Sequence, residues 1–288
     1  MIKKEFESLQ LGMQDYIRFG YEIGIINKEN IDRIYSRLLK TKIIQFDKDE
    51  GFGGFTYLDE NDNIIKILMS KKCIDRESNS LNRSFEEYYD ENLFHELTHA
   101  VGITPQEIDL ELNKLIPKEK RNERFYYMDY GYSLIDEVIA QSISQRMVTK
   151  KYGTLYPFER KKFVFNKNSE YNKSFSYEYN SNLQWYGEIE QIALDFVETL
   201  YEKRNINLIF KDHFNGTVFE KMKNVFENKK DGLDSLYKLL GNLGNILCCD
   251  YYQQGYPIEN PQYLSVSLFE NSIKNCKNIL SKSPSLDD

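Results

Sequence analysis

Residues 85–101 read FEEYYDENLFHELTHAV, with Gly102 and Pro105 close behind. Phe94, Leu97 and Val101 recur at helical spacing, which predicts a helix over 85–101 that packs this stripe against a sheet and stops at a left-handed Gly102. Within it stands His95-Glu96-Leu97-Thr98-His99, the H-E-x-x-H pattern. Four residues is close to one helical turn, so the two imidazoles stack on one face and can share one metal ion. Glu96 lies beside that ion but turned toward substrate, where a carboxylate can take a proton from water; it is expected to act as base, not ligand. With 3 histidines in 288 residues, shuffling produces the pattern in roughly two sequences per thousand. The competing reading makes both histidines ordinary helix residues, His95 hydrogen bonding locally and His99 packing near the helix end.

A zinc site of this kind needs a third protein ligand and one open position. A histidine at position 105 would complete the H-E-x-x-H-x-x-G-x-x-H arrangement, but that residue is Pro105. A carboxylate ligand remains, and SLIDEVIAQ (133–141) carries two at the start of an apolar helix predicted from about Leu134 to Lys150. Ser133 and Asp136 match the S-x-x-D capping pattern, which gives Asp136 a structural task. Glu137 has no such task. A carboxylate among Leu134, Ile135, Val138 and Ile139 is costly unless paired or bound to metal, so Glu137 is assigned as the third ligand. A solvated glutamate on an exposed strip is the alternative. His213, the only other histidine, could act as the donor that such chemistry needs at a developing oxyanion, although a single surface histidine is the simpler reading of it.

HELTHAVG (95–102), Tyr130-Gly131 and Asp136-Glu137 together resemble the gluzincin metallopeptidases over roughly residues 85–150. They are most similar to the branch that contains anthrax lethal factor and the Pro-Pro endopeptidases. The resemblance implies a peptidase acting on peptide or protein substrates, with zinc held by His95, His99 and Glu137. It also implies that Tyr130, seven residues before Glu137, donates a hydrogen bond to the developing oxyanion, a role that some donor must fill. The N-E-x-x-S-D signature of thermolysin-type members is missing, which leaves substrate preference without a basis for transfer.

Working outward, residues 5–24 and 28–40 read as an amino-terminal helical layer, the second helix capped by Asn27. Ile43-Ile44, Phe55–Leu58 and Ile64–Met69, the last two joined by a DENDN turn, predict a small antiparallel sheet. Ile64–Met69 is the expected edge strand, able to pair with an extended peptide. GFGGF (51–55) lacks a following Gly-Lys-Ser/Thr, so backbone flexibility explains it better than phosphate binding. Asp75–Arg83 reads as a polar connector. Beyond the metal motif, helices are expected near Pro105, over 184–203, over 218–249 with a break at Asp231-Gly232, and over 261–280, with strands near 162–165 and 174–179. Two parts result, 1–103 with the sheet and the metal helix and 104–288 as a mainly helical lobe carrying the third ligand, together one catalytic unit.

Composition narrows the function classes. With 41% hydrophobic and 29% charged residues the chain is globular, and a net charge of -7 without a basic stripe argues against nucleic acid as a partner. MIKKEFESLQLGMQDYIRFG has no apolar run of signal-peptide type, and no stretch approaches the roughly 18–20 apolar residues of a membrane span. Cys73, Cys248, Cys249 and Cys276 show no C-x-x-C spacing, which favours small thiols in a reducing, cytoplasmic setting, with unconventional secretion left open. The expectation is an α+β, zincin-like, zinc-dependent metallopeptidase in which Glu96 moves the proton and Tyr130 steadies the oxyanion. The alternatives are a catalytically silent or regulatory zincin-like protein that binds a partner, and a toxin-like effector with one narrow substrate.

Overall fold

The computed structural model describes residues 6–59, 63–104, 106–107, 110, 128–153, 197, 206–230 and 232–241. Expectations for residues 154–196 and 261–280, and for Cys248, Cys249 and Cys276, lie outside them; of the helix expected near Pro105, residues 106–107 and 110 are described and are helical. The described residues form an α+β structure, mostly helical, with one small mixed sheet. After a single 3-10 turn at Phe6–Ser8 come α1 (Leu11–Glu22), α2 (Ile31–Leu39), β1 (Thr41–Phe46), β2 (Gly54–Asp59) and β3 (Ile64–Ser70). There follow α3 (Lys71–Ser80), α4 (Phe85–Val101), α5 (Met128–Tyr152), α6 (Ile206–Phe214), α7 (Val218–Glu227) and α8 (232–241). The chain divides into two compact units, one of Met1–Gln106, Ile139–Pro157 and Asn207–Thr217, the other of Glu107–Val138, Phe158–Ile206 and Val218–Asp288. α5 is one unbroken helix that contributes residues to both.

In the first unit, Asn27 caps a turn and not yet the helix: its Oδ1 accepts from the backbone N–H of Glu29 at 2.8 Å and of Asn30 at 3.3 Å, and α2 begins at Ile31. The strand order is β1-β3-β2. β2 and β3 form an antiparallel hairpin with Gly54 opposite Met69, whereas β1 lies along the far side of β3 and runs parallel to it, Thr41 opposite Ile65. The sheet is therefore mixed, not antiparallel, and residues 64–69 form its central strand, not an edge. The physical reason is visible in the burial. Ile65, Ile67 and Met69 are fully covered and their neighbours half-covered, a pattern that suits the strand flanked on both sides, while β1 and β2 carry the exposed Lys42, Gln45 and Phe55. The supposed connector at 75–83 is largely helix. Ser70 Oγ accepts from Cys73 N–H at 3.2 Å to start α3, and Cys73, Ile74 and Ser78 are its buried side.

α4 forms over the predicted residues and starts on Ser84, whose Oγ accepts from Glu87 N–H at 3.1 Å. It packs against β2 and β3 and also against α1, α2 and α3, so it is buried around most of its circumference. Phe94 faces the helices and not the sheet, its ring 6.0 Å from that of Tyr16 and 6.4 Å from that of Phe19 on α1. Gly102 is not left-handed, with φ -74. A side chain there would stand 2.6 Å from His213 Cε1, so glycine permits close approach of α6. His213 is 2% exposed, a buried residue and not the expected surface one. Its Nε2 donates to Thr98 O at 3.1 Å, Arg37 Nε to Ala100 O at 2.9 Å, and the Arg33 guanidinium to the carbonyls of Val101, Gly102 and Phe214. The last carbonyls of a helix have no partners within it, and three basic side chains meet them here.

α5 starts at Met128, well before Leu134, so Ser133 lies inside the helix and the S-x-x-D pattern is not a cap. Asp136 is 2% exposed. In the second unit, the Tyr132 ring stands edge-on to Phe219 of α7 at 5.4 Å, and any side chain at Gly131 would collide with the Leu240 carbonyl of α8. α7 and α8 are separated near Asp231-Gly232 as expected. Among the described residues no helix is long and apolar enough to cross a membrane.

Candidate metal centre

His95 and His99 occupy consecutive turns of α4, and their Nε2 atoms lie 2.9 Å apart, with ring centroids at 4.7 Å and planes inclined by 76°. One oxygen of Glu137 joins them, and the three ligand atoms all lie within 4.8 Å of one another. Donors bound about 2.1 Å from one tetrahedral zinc are about 3.4 Å from each other, so this set needs only small side-chain rotations to share an ion. Two imidazole nitrogens with one carboxylate is also the donor chemistry that suits zinc. His99 is buried and Glu137 is half-buried. A three-ligand set with such exposure matches a centre that keeps a position for water or substrate.

Glu96 faces the sheet. It is 7% exposed, and its Oε2 accepts from Thr56 Oγ1 of β2 at 2.6 Å. Thr56 Oγ1 also lies 3.1 Å from the backbone carbonyl of Glu96. Gly54, two residues earlier on the same face of β2, leaves room for the carboxylate: a Cβ there would stand 2.5 Å from Glu96 Cγ and 2.8 Å from Oε1. At Gly53 a Cβ would likewise collide with the Asn92 side chain. The glycines at 53 and 54 are thus required by the close passage of α4 beneath the strand, which replaces flexibility as their explanation.

Behind the histidines lies a buried polar chain. His95 Nδ1 is 3.1 Å from Gln141 Oε1, Gln141 Nε2 donates to Glu91 Oε1 at 2.9 Å, and Glu91 Oε2 is 2.6 Å from Arg83 Nη2. The side chains of Arg83 and Glu91 are 3% and 4% exposed. Thr98, on the turn between the two histidines, donates to Phe94 O at 2.7 Å and so accepts from Tyr16 OH at 3.0 Å. At the start of α4 the Tyr88 hydroxyl donates to Glu77 at 2.7 Å, and burial, then the Glu77 charge, push its pKa upward. At the end of α5, Lys151 bridges Asp15 and Asp90 at 2.6 and 2.7 Å.

His95, His99 and Glu137 are brought together, and Glu96 stands against Thr56 and Gly54 of β2. Tyr130 sits in the first turn of α5, two helical turns before Glu137, and its side chain lies outside the described residues. Thr56, Gly54, Gln141, Glu91 and Arg83 escaped sequence reasoning. One signal was present: Gln141 stands four residues after Glu137, on the same helix face. The contacts of Thr56 and Arg83 have no sequence signature. No family model, no curated protein and no solved structure matches this chain.

Proposed function

We propose that the chain is a zinc-dependent metallopeptidase of zincin-like architecture. The observation that carries this reading is the convergence of three donor atoms, His95 Nε2, His99 Nε2 and a Glu137 oxygen, beside a carboxylate held at an edge strand. Zinc held by these residues supplies Lewis acidity, which acidifies a water molecule and polarises a carbonyl. Glu96 is the base: it takes the proton from water and passes it to the leaving amine. Thr56 donates to Glu96 Oε2 and holds the carboxylate in one orientation, so the proton is handled at a fixed place. Tyr130 is proposed as the oxyanion donor.

β2 supplies the substrate path in place of the strand first expected. It is an edge strand, and among the described residues only β3 pairs with it. An extended peptide laid along its other edge would gain backbone hydrogen bonds beside Gly54 and Thr56, the two residues that touch Glu96. A reducing, cytoplasmic setting accords with Cys73 being an unbridged buried thiol.

The test is metal content by elemental analysis together with cleavage of a proteome-derived peptide library, for wild type, His99→Ala, Glu137→Ala and Glu96→Gln. Wild type should hold about one zinc and cleave, the two ligand variants should lose zinc, and Glu96→Gln should keep zinc while turnover falls by about 10²–10⁴-fold. Full turnover by zinc-loaded Glu96→Gln would refute the base assignment, and a wild type that takes up no zinc on reconstitution would refute the centre.

A further inference from the structure

The chain of buried groups behind His95 has a direction that follows from donor and acceptor chemistry alone. A guanidinium cannot accept, and the Glu91 carboxylate that forms a buried ion pair with Arg83 is an acceptor at both oxygens. Gln141 must therefore turn its NH2 toward Glu91, since the flipped amide would set oxygen against oxygen across 2.9 Å. That orientation leaves Gln141 Oε1, an acceptor, facing His95 Nδ1 at 3.1 Å. An acceptor against Nδ1 requires a proton on Nδ1, and a neutral imidazole protonated there carries its lone pair on Nε2. Nε2 is the nitrogen that faces His99.

We infer that Arg83, Glu91 and Gln141 are positioning residues that set the tautomer of His95, keeping its proton on Nδ1 so that Nε2 is ready to bind metal before any metal arrives. The purpose assigned to the relay rests on the metal centre proposed above; the tautomer does not. A neutral amide, and not a carboxylate, touches the imidazole, and the charge that orients it is placed one residue further back. There the buried Arg83–Glu91 pair is braced by the Tyr88 ring, 5.2 Å below the guanidinium. A buried ion pair contributes little net stability and can specify one arrangement over its reverse. Here the arrangement specified is the polarity of the relay.

The experiment is heteronuclear NMR of the imidazole nitrogens in the metal-free protein at about pH 8, above the ordinary histidine range. Wild type is expected to show His95 protonated at Nδ1. Gln141→Met, similar in length but without the amide, should lose this preference and weaken zinc affinity by about 10–100-fold. The double exchange Glu91→Gln with Gln141→Glu should restore both, because Arg83 can then donate to the new amide oxygen and that amide to the new carboxylate, which still accepts from Nδ1. Gln141→Glu alone keeps an acceptor against Nδ1 and should keep the tautomer, at a cost in stability from two carboxylates set together. An Nε2-protonated His95 in wild type would overturn the inference even if every variant failed to fold. So would an unchanged tautomer in folded Gln141→Met, or a double exchange that fails to hold the proton on Nδ1. Absence of peptidase activity would count against the proposed function only, since the NMR readout involves neither zinc nor substrate.

Discussion

The two ends of α4's motif are surrounded by polar groups of different purpose. Around His95 the contacts are made to side chains: Gln141 to the imidazole, Glu91 to Gln141, Arg83 to Glu91, and Thr56 to Glu96. Beyond His99 they are made to backbone: His213, Arg37 and Arg33 meet the carbonyls of Thr98, Ala100, Val101 and Gly102. The first group orients the proposed ligand and base side chains, and the second anchors the helix that carries them. Losing an aiming contact should change metal affinity or turnover with small changes in stability. Losing an anchoring contact should do the reverse, because buried carbonyls left without partners are costly to the fold wherever the ligands point.

Arg33→Met provides the largest expected contrast. It removes a guanidinium that serves three carbonyls and should cost about 3 kcal/mol in urea unfolding, taking charged hydrogen bonds at about 1.5–3 kcal/mol each and allowing for water replacing some. Zinc stoichiometry of the remaining folded protein should be unchanged, and a folded Arg33→Met that cannot hold zinc would erase the distinction between the two ends. Gly54→Ala comes next. The added methyl meets the Glu96 carboxylate, so β2 or the glutamate must shift, at about 1–3 kcal/mol, and peptide turnover should fall while zinc is retained. Retained turnover would show that Glu96 tolerates displacement and is not held where it acts. Thr56→Val, close in shape, deletes only the hydroxyl that donates to Glu96 and should lower turnover by about tenfold at most, corresponding to about 1.4 kcal/mol, with zinc affinity unaffected.

An effect confined to alkaline pH, away from both ends, serves as a control. Cys73 on α3 is fully buried, and burial, followed by the Glu77 charge, pushes its pKa up from 9.0 to about 12. A raised folded-state pKa contributes stability that is fully present below the unfolded value and is lost as pH rises through the folded one. Stability should therefore decline between about pH 9 and 12, and Cys73→Ala should decline less steeply, measured by urea unfolding at stepped pH. Tyr88, also shifted upward, should sustain part of the decline in the variant. A variant as steep as wild type would remove Cys73 from this behaviour.

Legibility from sequence followed the range of the interactions. His95, Glu96 and His99 could be read because their relation is local, one turn of one helix. Glu137 could be reached because a carboxylate among apolar neighbours demands a reason, although its partner in the argument, Asp136, does not cap a helix and is instead buried inside one. The errors have non-local causes. Strand composition could not order the sheet, since β1 reaches β3 only after the chain has passed through β2. Glycines 53 and 54 read as flexible until α4 is brought beneath them, and His213 read as exposed until Gly102 lets it approach. The polar run at 75–83 hid α3 because its buried side is a single short stripe of Cys73, Ile74 and Ser78.

By itself, then, the sequence determined the metal-type ligand face of α4, the candidate third ligand and the α+β class, because periodicity and the cost of a stranded carboxylate are properties of short segments. Tertiary structure alone decided which strand is the edge, which hydroxyl holds Glu96 and which way the hydrogen bonds run behind His95. Those depend on groups between 40 and 50 residues apart in the chain, Thr56 with Glu96, Gln141 with His95 and with Glu91, whose meeting is encoded in packing and not in any local pattern.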